Sequence, residues 1–76
     1  MKTTIDSCIY QQLDINTIDE TKSLQELGAD ELDCVEIAMR IEIAFGIDIF
    51  DEDFEQLKTV NELYTYVQDL IERKEK

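Results

Sequence analysis

Two glycines and no proline are the only backbone punctuation in this chain of 76 residues. Around them the apolar residues recur at helical spacing. Proline breaks helices and glycine ends them, so so few of either leave room for several uninterrupted helices and little else. Ile5, Cys8, Ile9 and Leu13 predict a first helix over 3–13. A long connection from Asp14 to Ala29 follows, with its own apolar anchors in Ile15, Ile18, Leu24 and Leu27. Within it, Ser23-Leu24-Gln25-Glu26 reads as a capping box opening one turn, which Gly28 stops. Asp30 is the N-cap candidate of a second helix running to about Phe45, with Gly46 as its end. Leu32, Val35, Ala38, Met39, Glu42 and Phe45 trace its apolar stripe, broken at Glu42; Ile37, Ile41 and Ile43 widen it. Asp51 is the cap expected for a short helix through Leu57, anchored by Phe54 and Leu57. Thr59-Val60-Asn61-Glu62 is a second capping box, and Val60, Leu63, Tyr64, Val67, Leu70 and Ile71 then line one face of a last helix. Ile47-Asp48-Ile49-Phe50 alternates, but four residues form no sheet alone. The expected fold is all-α: a bundle of three main helices and one short helix, in a single domain over 1–76.

A chain this short buries only about 60–65% of the surface its unfolded form exposes, so a stability of about 5 kcal/mol or less is expected. Hydrophobic residues make up 43% of it, enough for a core and too many for disorder to be the default. Its charge excludes more than its size does. Nineteen acids face seven bases, for a formal charge of −12 and a pI near 4.1. Such a surface repels nucleic acid and anionic membranes, and associates with basic protein patches quickly and in a salt-sensitive way. Residues 30 to 55 hold ten of the acids and one base, Arg40.

Other functional classes lack their chemistry. There is no histidine, and no nucleophile–base pairing suggests itself, so an enzyme is not expected. The cluster Asp48, Asp51, Asp53 and Glu55 lacks the Asp-x-Asp-x-Asp-Gly order of a calcium loop, and no metal site is expected. Cys8 and Cys34 fall on apolar helix faces and read as buried free thiols. No apolar run has membrane-spanning length, and Met1-Lys2-Thr3-Thr4 leads into no apolar leader segment. A cytoplasmic monomer is the expectation.

The segment Leu27-Gly28-Ala29-Asp30-Glu31-Leu32-Asp33 resembles the signature of acyl carrier proteins. The resemblance runs on to Phe45, through Ile47-Asp48-Ile49 and into Lys58-Thr59-Val60, and covers roughly Leu13 to Ile71. It implies a four-helix bundle with a long first loop. It also implies a serine directly after Asp30, at the start of the second helix, to which a transferase attaches 4'-phosphopantetheine. A helix N-terminus suits an attached phosphate through its dipole and free N–H donors. Here that position is Glu31, which has no hydroxyl, so no cofactor is expected on the chain as written. Other departures accompany it. Ile43 and Ala44 stand where members commonly have acids, Phe50 where proline is frequent, and the segment between Leu13 and Ile18 is shorter by about three residues than in familiar bacterial members. Ser7, Ser23 and Cys34 lack the surroundings of an alternative attachment point.

Two readings of Glu31 arise. It is a favourable first-turn acid, worth roughly 0.3–1 kcal/mol against the helix dipole, or a charge mimic of the missing phosphate; the first is preferred. The resemblance implies partner docking through Asp30, Asp33, Glu36 and Glu42; of Asp33, Glu36 and Glu42, Glu36 is the best match and is expected to face outward most. The partners implied are basic surfaces of carrier-dependent enzymes: synthases, acyltransferases or phosphopantetheinyl transferases. Three functions follow: a carrier-fold protein that docks without carrying, a genuine carrier of fatty-acid or polyketide biosynthesis substituted at position 31, or an acidic solubility or buffer protein. In all three, self-repulsion should make stability salt-sensitive. Melting temperature is expected to rise from low to moderate ionic strength by scanning calorimetry; an unchanged value contradicts that.

Overall fold

In the computed structural model, which describes residues 1–74, four helices form where the spacing places them. They are α1 (Lys2–Gln12), α2 (Glu31–Phe45), α3 (Asp51–Glu55) and α4 (Val60–Lys74), with no strand among the described residues. The all-α reading holds. Ile47 and Ile49 turn inward and Asp48 and Phe50 outward, so the alternation at that point is an extended connector between α2 and α3 rather than a sheet.

Each helix start is explained by where its free N–H groups go. Asp30 caps α2 from an extended backbone, φ −90° and ψ −175°. At α4 the N–H of Glu62 donates to Thr59 Oγ1 at 3.2 Å, and Val60 and Asn61 donate to the Lys22 and Glu20 carbonyls at 2.9 and 3.0 Å. The long loop thus caps the last helix with its own backbone. That fastening holds the loop against the bundle, along with Leu24 buried beneath it. The Ser23–Glu26 box closes in both directions, each bond at 3.1 Å, and Gly28 ends its turn at φ 110°. For α3 the expected cap shifts by one: Phe50 is the N-cap, without a side-chain bond, and Asp51 is already the first helical residue. Three acids in that first turn favour the helix through its dipole instead. The helix is also shorter than expected, ending at Glu55 rather than Leu57.

One cluster of buried side chains joins the helices. Ile5 and Ile9 of α1, Ile37 and Ile41 of α2, and Val60, Leu63 and Val67 of α4 are fully buried at its centre. Tyr64 is buried as well, and its hydroxyl donates to Asp6 Oδ1, which ties α4 to α1. Cys8 and Cys34 are buried free thiols.

The face of α2 departs from the expectation. Its buried stripe is Cys34, Ile37, Ala38 and Ile41. Leu32, Val35 and Met39, read from the spacing as part of the apolar stripe, are exposed, and Ile43 stands 80% exposed. Both sets fit helical spacing, because α2 is apolar over most of its circumference. β-Branched isoleucines at 37 and 41 take the centre, completely buried in the cluster that α1, α2 and α4 share. This assignment predicts a sharp contrast. Ile41→Ala should lose about 2–5 kcal/mol, close to the whole stability of the domain. Leu32→Ala should change it by less than about 0.5 kcal/mol, since Leu32 faces water. Urea denaturation measures both, and equal losses would contradict the orientation of α2.

Candidate functional site

The start of α2 is built by reciprocal carboxylates. Asp30 Oδ1 accepts the Asp33 N–H at 2.8 Å, and Asp33 Oδ2 accepts the Asp30 N–H at 3.2 Å, closing a capping box. Asp33 Oδ1 also accepts from Gln12 Nε2 at 2.8 Å. Gln12 is the last residue of α1, so the box ties the end of one long helix to the start of the next. Directly upstream, the Ala29 N–H reaches back to the Leu24 carbonyl at 3.0 Å and presses Ala29 into the core. The result is a rigid platform on which Glu31, the first helical residue, projects into solvent.

Beside Glu31 lies an open groove of about 330 Å³ between α2 and α3. Cys34, Ala38 and Phe54 form its apolar base, and Asp30, Glu31, Asp51 and Glu55 line it with carboxylates. Burial pushes the Cys34 thiol up, and the negative charges of Asp33 and Asp30 push it further. It is therefore protonated at neutral pH and a poor nucleophile. Cys8 is likewise raised by burial, against the opposing pull of the Arg40 charge.

The four acids assigned to docking are brought to one helix, but they do different work. Asp30 is exposed, while Asp33, Glu36 and Glu42 are all half-buried, so burial does not set Glu36 apart from the other two. Asp30 and Asp33 hold the capping box. Glu42 Oε2 accepts the Ile49 N–H at 2.9 Å, pinning the turn after Gly46. That turn is also held by Lys74, whose Nζ donates to the Gly46 carbonyl at 2.5 Å. The acidic cluster near α3 is partly structural too: Asp53 Oδ2 accepts the Tyr66 hydroxyl at 3.1 Å.

What the sequence reading missed is the apolar ridge between these acids. Leu32, Met39 and Ile43, exposed by 68%, 50% and 80%, point outward along α2. Val35 is exposed beside them, toward the groove at Glu31. The missed signal was the competing stripe Cys34, Ile37, Ala38, Ile41. Once it is turned inward, Leu32, Met39 and Ile43 lie opposite, at 100° per residue. A ridge of this kind, rimmed by Glu31 and Glu36, has the make-up of an interaction surface: apolar at the centre and charged at the edge.

Comparison with known proteins places this helix start inside a described family. The family described as a phosphopantetheine attachment site matches residues 4–67. An acyl carrier protein of Wolinella succinogenes is 37% identical over 67 residues, covering 84% of this chain and 88% of its own. One from Campylobacter hominis is 40% identical over 55 residues, 72% of this chain and 70% of its own. One from Helicobacter pylori is 35% identical over 68 residues, 86% of this chain and 87% of its own.

The capping box gives the helix start a pH signature. The Gln12 amide above all, then the Asp30 N–H, hold the Asp33 carboxyl below the usual carboxylate range. A lowered native value means the stabilisation is present above the unfolded value, about 3.9, and is lost as pH falls through the native one. Asp33→Ala should therefore be less stable than the parent at pH 7, and should lose less further stability on acidification below about pH 4. Urea midpoints across pH measure this, and parallel curves for the two proteins would contradict it.

Proposed function

This chain belongs to the acyl carrier protein family, and we propose that within it the protein docks on carrier-binding enzymes without carrying an acyl group. The observation that carries this reading is Glu31 at the first position of α2. A phosphodiester to phosphopantetheine needs a hydroxyl oxygen as the attacking atom, and a carboxylate side chain offers none. The residue present does not fit the group: the arm has no attachment atom at position 31.

What remains is a domain over 1–76 that presents a docking face. Leu32, Met39 and Ile43 supply apolar area, and Asp30, Glu31 and Glu36 supply negative charge at the rim. Asp33 and Glu42 contribute their charge from capped positions. The fitting partner is an apolar depression edged by lysine and arginine, on a synthase, an acyltransferase or a phosphopantetheinyl transferase. Charge speeds the encounter and the ridge holds the complex. The protein acts by occupancy, scaffolding or regulation in the cytoplasm, as a monomer, with no catalysis of its own and no bound metal.

The family's general role also leaves a second reading, a working carrier whose natural residue at position 31 is serine. The intact capping box and Leu-Gly-Ala-Asp approach favour it, because they preserve the platform an arm would need. The gene's codon at that position separates the two.

Docking is tested by competition. The protein is expected to inhibit a phosphopantetheinyl transferase or a carrier-dependent ketosynthase acting on a serine-bearing acyl carrier protein, competitively and less strongly as salt rises. Leu32→Asp and Glu36→Lys should each weaken inhibition by about tenfold. No inhibition of either enzyme at low salt would remove the docking reading.

A further inference from the structure

Arg40 is the one base among ten acids in residues 30–55, yet no carboxylate hydrogen-bonds to it among the described residues. Its Nη1 donates to Gln11 Oε1 at 3.0 Å. Its Nε is buried with no acceptor, the one buried side-chain nitrogen or oxygen so placed among the described residues. Buried donors are almost always paired in folded proteins, so an orphaned guanidinium N–H calls for a specific account. Arg40 lines a groove of about 300 Å³ between α1 and the C-terminal half of α2. The hydroxyls of Thr4 and Ser7 line it from α1, and Ile43 and Ala44 from α2. None of its lining residues is acidic, although the chain as a whole carries −12.

Building on the docking reading, we propose that this groove receives one carboxylate side chain, Asp or Glu, from the enzyme that docks on α2, clasped by Arg40. The Nε–Nη2 edge of a guanidinium matches the two oxygens of a carboxylate. Rotation about the flexible stem turns that edge to the groove, and the orphaned Nε then gains the acceptor it lacks. The hydroxyls of Ser7 and Thr4 provide further donors to the same oxygens. The overall negative field weakens the binding of a free anion, which saturates the groove only at high concentration. A carboxylate fixed on a protein already held by basic contacts arrives at high effective concentration, which is why the occupant is a partner's side chain.

The docking face is then bipolar. Its acidic end is at Asp30 and Glu31, and its cationic end is at Arg40, nine residues and about 14 Å further along the helix axis. A partner surface with a basic patch and one acid at that separation docks in a single direction along α2. Ile43 and Ala44 contribute by what they lack: acids at those positions would pair with Arg40 within the chain and close the site.

The chain has only two arginines, Arg40 and Arg73, so each serves as the other's control. The probe is glutamate blocked at both backbone ends, with its side-chain carboxylate free. It is titrated into the ¹⁵N-labelled full chain at constant ionic strength against chloride, and the two arginine Nε–H signals are followed. The proposal expects the Arg40 signal to move downfield and saturate, with accompanying shifts at the Ser7 and Gln11 amides, while Arg73 does not saturate. Arg40→Lys, which keeps the charge but loses the fork, and Arg40→Gln should both abolish the saturable amide shifts. Equal, unsaturated movement of both arginines would overturn the proposal, as would amide shifts surviving in both variants. Movement of the Arg40 signal with protein concentration alone would assign the groove to a second copy and overturn it equally. No enzyme partner enters this titration, so its failure leaves the docking reading intact. Failed competition against the enzymes, with a saturating Arg40 signal, would remove docking alone.

Discussion

The reciprocal bonds between Asp30 and Asp33, with Gln12 drawn onto the second carboxylate, are the constraint on which the rest of this structure depends. They satisfy the free donors at the start of α2 and fix where its first turn begins. They also join the end of α1 to that turn across the long loop. With both the starting point and the neighbour of α2 fixed, packing sets its rotation: Ile37 and Ile41 enter the buried cluster, and Leu32, Met39 and Ile43 are left in water. The exposed apolar ridge is thus a consequence of a cap. The same cap presents position 31 to solvent on a rigid support, which is what a modified residue requires and what this carboxylate receives instead.

Much of this was legible in the sequence, for identifiable reasons. Three of four helices follow from local signals that do not depend on the tertiary fold: the apolar spacing of α1 and α4, the Asp30 cap, and Gly46, which adopts the left-handed conformation at φ 65°. The Ser23–Glu26 box was readable because a box is satisfied by residues three apart. The orientation of α2 was not readable. An almost uniformly apolar helix carries two competing stripes, and only packing decides between them. The structural duties of Glu42 and Asp33 were hidden for a related reason: their partners, Ile49 and Gln12, lie seven and twenty-one residues away. The cap of α3 slipped by one because Phe50 needs no side-chain bond to start a helix already favoured by three acids.

Charge and apolar surface are divided along α2 in a way that composition conceals. The N-terminal half holds Glu31, Asp33 and Glu36 and is anchored by its cap, while the C-terminal half holds one acid, Glu42, bonded to the Ile49 N–H, beside Ile43, Ala44 and the partly satisfied Arg40. On the proposed reading no arm is attached, so function rests on the face alone, and a face with distinct ends suits a protein that occupies a particular partner.

Intact mass reads directly whether the Glu31 side chain excludes the arm. The purified chain and its Glu31→Ser variant are each incubated with phosphopantetheinyl transferase and coenzyme A, and the intact masses are compared. The account predicts an unchanged mass for the parent and the addition of one phosphopantetheine to the variant. Addition to the parent itself would contradict it.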